Sequence, residues 1–89
     1  MGRVLLVYEI RPESPEIKPK ELADKIRKGL NPKFEMKEQV DEKPLYFGLV
    51  GIVAQFIIPE EDGAQDELEE YLENIEGVSS IQVEFVTRL

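Results

Sequence analysis

A single α+β domain, a sheet with helices packed on one side, is the fold class this sequence predicts, and three observations predict it. Its 89 residues suit one domain spanning 1–89. The apolar residues recur with period two in some segments and with period three to four in others. Those segments follow one another in the order β-α-β-β-α-β.

The first strand is Arg3 to Ile10, rich in β-branched and aromatic residues. Pro12-Glu13-Ser14-Pro15 reads as a loop, because proline has no amide to give to a ladder. A helix follows over Pro19 to Gly29. Proline suits its first turn, Leu22, Ala23 and Ile26 share a face, and Gly29 marks its end. Phe34, Met36 and Val40 recur on even positions and predict a second strand over Lys33 to Val40, with Asp41 to Pro44 as a turn. Tyr46 to Ile58 is the longest apolar run. Gly48, Gly51 and its β-branched content favour a strand over a helix. Pro59 ends it, and Glu60 to Gly63 is a polar loop.

Ala64 to Glu76 predicts the second helix, with Leu68, Leu72 and Ile75 as its apolar stripe and carboxylates on its outer face. Gly77 caps it. The last strand is Val78 to Thr87, where Ile81, Val83 and Phe85 alternate with Gln82 and Glu84. This order predicts a ferredoxin-like βαββαβ sandwich: a four-stranded antiparallel sheet of order 4-1-3-2 with two helices on one face.

Composition removes several chemistries. Cysteine and histidine are absent, which excludes disulfides, thiol nucleophiles, the usual zinc sites and imidazole catalysis. Copper carriage on this fold needs a Cys-x-x-Cys loop. Arg11 is followed by Pro-Glu-Ser-Pro, whose missing amides and added acid suit a phosphate poorly, and there is no glycine-rich phosphate loop. Glu60, Glu61 and Asp62 offer hard oxygen ligands, but an acidic loop after a strand usually serves solvation. No catalytic residue, metal site or cofactor is expected.

The net charge is −8, and it is uneven. Residues 1–43 carry ten basic and nine acidic side chains, whereas residues 44–89 carry Arg88 alone against ten acidic ones. That half repels RNA, so direct nucleic-acid binding is not expected. Phe47 is the single aromatic on the solvent parity of the third strand, and the Leu5, Val7, Glu9 face of the first strand offers it no partner. Arg3 and Glu9 interrupt the first apolar segment, and no run reaches the ~20 apolar residues of a span. A cytoplasmic protein without membrane contact is the expectation.

Three blocks together resemble the archaeal elongation factor 1-beta family. They are Pro12-Glu13-Ser14-Pro15, then Pro44-Leu45-Tyr46-Phe47-Gly48-Leu49, then Gly63 through the acidic helix to Asn74-Ile75-Glu76-Gly77-Val78, closing with Arg88-Leu89. The resemblance covers essentially the whole chain. It implies a single guanine-nucleotide-exchange domain over 1–89, without covalent chemistry of its own, and elongation factor 1-alpha, a GTPase, as partner. It also implies partner-binding roles for Phe47, Arg88 and Leu89. In eukaryotic relatives a lysine stands where this chain has Arg88, reaching toward the magnesium and phosphates of the GTPase. A guanidinium is larger than an ammonium and harder to place there. Two roles fit it, displacing magnesium or anchoring the complex.

With the two central strands parallel and the fourth antiparallel to the third, Phe47 and Arg88 are expected at one edge, roughly 10 Å apart. The alternative is a ferredoxin-like ligand-sensing or self-assembly module. It would use Leu5, Val7, Leu49 and Val53 on the open sheet face.

Overall fold

The computed structural model describes residues 2–89. Its elements are β1 (Arg3–Pro12), α1 (Pro19–Gly29), β2 (Glu35–Pro44), a short 3₁₀ turn (Tyr46–Gly48), β3 (Val50–Pro59), α2 (Ala64–Glu73) and β4 (Val78–Arg88). The sheet order is β2-β3-β1-β4, and every pairing is antiparallel. This is the βαββαβ sandwich read from the sequence.

Alternation along the central strands sorts their side chains onto two faces. Leu6, Tyr8 and Ile10 of β1 and Ile52, Ala54, Phe56 and Ile58 of β3 face the helices and are buried. Leu22, Ala23 and Ile26 of α1 and Ala64, Leu68 and Leu72 of α2 complete one continuous core. Tyr8 meets Phe56 edge to face, ring centres 6.0 Å apart. Its hydroxyl donates to Glu69 Oε2 at 2.8 Å, so the buried polar tip is satisfied. Burial, and then the Glu69 carboxylate, push that hydroxyl's ionisation far above its ordinary range.

Several boundaries differ from the sequence reading. Asp41 to Pro44 is not a turn but the end of β2, with Asp41 opposite Val53 and Pro44 opposite Val50. β2 is an edge strand, so a polar stretch ending in proline fits its exposed side. The reversal lies at Tyr46–Gly48, which removes Tyr46 to Leu49 from the third strand. Pro12 ends β1 opposite Val78, beside a register shift that relieves the ladder. α2 stops at Glu73 rather than Glu76, where the Asn74 side chain donates to the Glu70 carbonyl at 2.7 Å and competes with another helical turn. Finally, Tyr8 pairs with Val83 but Val7 pairs with Phe85, so Glu84 is an extra residue in β4. This bulge puts Phe85 opposite the open-face residue Val7 instead of on the side of Ile81 and Val83.

Strand direction carries the largest correction. β3 and β4 are both antiparallel to β1, so β3 and β4 run the same way, and the two central strands are not parallel. The end of β4 therefore lies beside the end of β3, not beside its start.

Candidate functional site

The loop between β2 and β3 closes with two backbone bonds. Leu45 N–H donates to the Leu49 carbonyl at 2.8 Å, and Leu49 N–H to the Tyr46 carbonyl at 3.1 Å. Between them Phe47 has φ 58° and ψ 34°, and Gly48 has φ 77°. Two successive positive φ values make a type I′ turn, the reversal that matches strand twist. Its first central position favours Asn, Asp or Gly. A phenylalanine there strains the backbone by ~1–2 kcal/mol, since its Cβ crowds the neighbouring carbonyl. Burial returns none of this, because Phe47 is 95% exposed and Tyr46 beside it 83%.

The turn stands where the first two sequence blocks meet the Gly77 part of the third. A Cβ at Gly48 would lie 3.9 Å from the Pro15 Cβ, and Glu13 N–H donates to the Gly77 carbonyl at 2.8 Å. A cleft of about 320 Å³ opens beside it, lined by Arg11, Pro12, Leu45, Leu49, Ser79 and Ser80, with Tyr46 and Phe47 at its rim.

A charged network lies next to this end of the open sheet face. Glu9 is only 2% exposed. Its carboxylate takes the Lys43 ammonium on one oxygen and Arg11 Nε at 2.6 Å on the other. The Lys43 hydrogen bond first, and the Arg11 guanidinium with it, hold the Glu9 carboxyl below the usual carboxylate range against the opposing effect of burial. Glu9 in turn raises the Lys43 ammonium. The network is not legible from local composition, because Asp41 to Pro44 has the residues of a turn but is the end of β2. The available signal was a lone carboxylate inside an apolar central strand. The same face is less open than expected, since Leu5, Val7, Leu49 and Val53 are all partly covered.

Arg88 and Leu89 are elsewhere. Arg88 is opposite Val4, at the far end of β1 from Pro12. The eight residue steps from Val4 to Pro12 amount to ~26 Å at ~3.3 Å each. Phe47 and Arg88 thus mark opposite ends of a molecule 42 Å long, and the expectation of 10 Å is wrong. Leu89 is exposed, with its N–H donating to the Arg3 carbonyl at 2.9 Å. Arg88 Nε stands 2.6 Å from Glu60 Oε2. Glu60, Glu61 and Asp62 do not gather into a metal-ligand set, and among the described residues no such cluster occurs. Among the described residues, no helix is long and apolar enough to cross a membrane.

Comparison with known proteins gives a consistent result. The model of the EF-1 guanine nucleotide exchange domain matches residues 5–89. Elongation factor 1-beta of Hyperthermus butylicus is 43% identical, the match covering all of this chain and 97% of the relative. Those of Staphylothermus marinus and Korarchaeum cryptofilum are 39% and 37% identical over the whole of this chain, covering 99% and 96% of their own lengths.

Proposed function

The chain belongs to the EF-1 guanine nucleotide exchange domain family, and on that premise we propose that residues 1–89 form one exchange domain acting on elongation factor 1-alpha. It binds the GTPase through Phe47 at one end of the sheet and Arg88 with Leu89 at the other. The supporting observation is Phe47 itself. An aromatic side chain held in solvent on a strained turn, with a second aromatic beside it, has no structural return inside this molecule.

Exchange follows from linkage. A factor that binds the nucleotide-free GTPase more tightly than the GDP–magnesium form weakens nucleotide binding by the same factor, tenfold for each ~1.4 kcal/mol of preference. Arg88 contributes charge to that preference. Its guanidinium, brought beside the magnesium and phosphates of the GTPase, repels the metal and competes with it for the phosphate oxygens. Phe47 contributes apolar area on a rigid turn, which loses little entropy on docking. With the length of β1, ~26 Å, separating the two ends of the sheet, the two residues meet separate parts of the GTPase, and the factor lies lengthwise along it. No bond in the nucleotide is made or broken, so the role is exchange without covalent catalysis, in the cytoplasm and without direct contact to nucleic acid.

The test is release of a fluorescent GDP analogue from elongation factor 1-alpha, with substoichiometric protein, for wild type, Phe47→Ala and Arg88→Ala. Turnover by the wild type, with a loss in each folded variant, is expected. Absence of acceleration at micromolar protein would sink the proposal.

A further inference from the structure

We propose that Glu60 is a positioning residue for Arg88, holding its guanidinium outward at the end of β4 by reaching across β1 at Gly2; this rests on the exchange role of Arg88. Glu60 lies one residue beyond β3, and Arg88 is the last residue of β4. β1 runs between those strands, so the two backbones stand about two strand spacings apart, ~9.6 Å. Contact between the side chains requires a path over the start of β1.

Gly2 provides it. A Cβ at that position would stand 2.4 Å from Glu60 Oε1, closer than side-chain carbons and oxygens approach. The flanking backbone is tied to the same point. Glu60 N–H donates to the Gly2 carbonyl at 3.0 Å, and Leu89 N–H donates to the Arg3 carbonyl next to it. The side chains also share a face. Val4, the partner of Arg88, lines one hollow with Ile58, Glu60 and Gln65 of α2.

Exposure separates the members of the pair. The Glu60 side chain is 36% exposed and that of Arg88 81%. Glu60 is therefore the more covered member, and most of the Arg88 side chain still faces outward. An ion pair this exposed is weak and does not sequester the cation. It narrows the rotamers of a long flexible side chain, so less ordering is left for the moment of docking.

The experiment compares Glu60→Gln, Gly2→Ala, Arg88→Ala and the double variant Arg88→Ala/Glu60→Gln in GDP release from elongation factor 1-alpha, with thermal unfolding alongside. Gly2→Ala displaces only the flexible tip of Glu60, so the fold is retained. Glu60→Gln and Gly2→Ala are each expected to lower kcat/KM roughly three- to tenfold, the effect of one newly mobile side chain. In the Arg88→Ala background, Glu60→Gln is expected to change nothing further. Glu60→Gln as fast as wild type or faster, while Arg88→Ala is slow, would make the carboxylate idle or a competitor and overturn the proposal. An undiminished effect of Glu60→Gln without Arg88 would overturn it too, as would a Gly2→Ala protein with the wild-type rate. A fully active Arg88→Ala protein would instead remove the role of Arg88 on which the proposal stands.

Discussion

At one end of the sheet Phe47 stands in solvent because the backbone beneath it bends into a left-handed turn. At the other end Arg88 stands in solvent at the close of β4, past its bulge, with one carboxylate against it. The aromatic is presented by strain in a two-residue turn. Its direction is fixed by φ and ψ, and its own χ angles are few. The cation is presented by a flexible side chain on an unstrained strand, and its direction depends on a neighbour. An apolar contact gains from rigidity, because affinity there comes from fitted area. A charge acts over distance, so the cation contributes before contact is made, and its neighbour sets where it points when contact comes.

The largest effects should come from removing either residue. Phe47→Ala and Arg88→Ala are each expected to lower kcat/KM for GDP release about 30-fold, the scale of an interface hot spot near 2 kcal/mol. Because the residues sit at opposite ends of the sheet, with ~26 Å of β1 between those ends, their effects should multiply, with a double variant down about 1000-fold. A double-mutant cycle checks this. Coupling well above 0.5 kcal/mol would mean that one contact holds both, as side chains 10 Å apart would allow.

The next effect opposes stability to activity at the turn. Asparagine accepts positive φ where phenylalanine does not, so Phe47→Asn should stabilise the protein by ~1 kcal/mol. For a domain of this size that is a rise in Tm of ~4–8 °C, measured by thermal unfolding. GDP release should fall as in Phe47→Ala. Arg88 substitutions should bring no such rise, since no strain is stored at their end. An unchanged or lower Tm in Phe47→Asn would show that the turn is not strained by its side chain.

Most of the fold was legible in the sequence, and the site only in part. Periodicity located both helices and all four strands, because Leu22, Ala23 and Ile26, or Leu6, Tyr8 and Ile10, must share a face to be buried. It could not locate the reversal between β2 and β3. Asp-Glu-Lys-Pro has turn composition but is the end of an edge strand, whereas Tyr-Phe-Gly has strand composition and is the turn. The mistake over distance had a different origin. Residue pattern yields strand order only through topology, and one wrong strand direction moved Arg88 from the far end of the sheet to the side of Phe47. The Glu84 bulge was illegible for a similar reason, since one inserted residue leaves the apolar count of β4 intact while changing the face of Phe85.

A smaller effect separates the ends by ionic strength. Raising salt screens exposed charges beyond about 10 Å at 0.1 M. Association with the GTPase should slow several-fold in wild type and in Phe47→Ala, and distinctly less in Arg88→Ala. Stopped-flow association rates at 0.05 and 0.3 M salt check this. Equal salt dependence in all three would assign the steering to charges other than Arg88.

The smallest effect concerns pH, and it belongs to the turn end, where the buried Glu9 carboxylate holds two half-exposed cations. The Glu9 carboxyl is depressed in the folded protein, chiefly by Lys43 and then by Arg11. A depressed carboxylate contributes stability that is fully present above its unfolded value, near 4.3, and is lost as pH falls through its lower folded value. Lys43 has the opposite sign. Its raised ammonium contributes stability below the unfolded value near 10.4, lost as pH climbs through the higher folded value. Lys43→Met removes the first cause of the Glu9 shift and leaves a nearly buried carboxylate with Arg11 alone. Its acid unfolding should therefore begin at higher pH than that of wild type, while its alkaline limb becomes shallower. Thermal melts between pH 2.5 and 11 follow both limbs. An acid limb that does not move would mean that Arg11 by itself holds Glu9 ionised, and that Lys43 lies over the sheet without bearing on its stability.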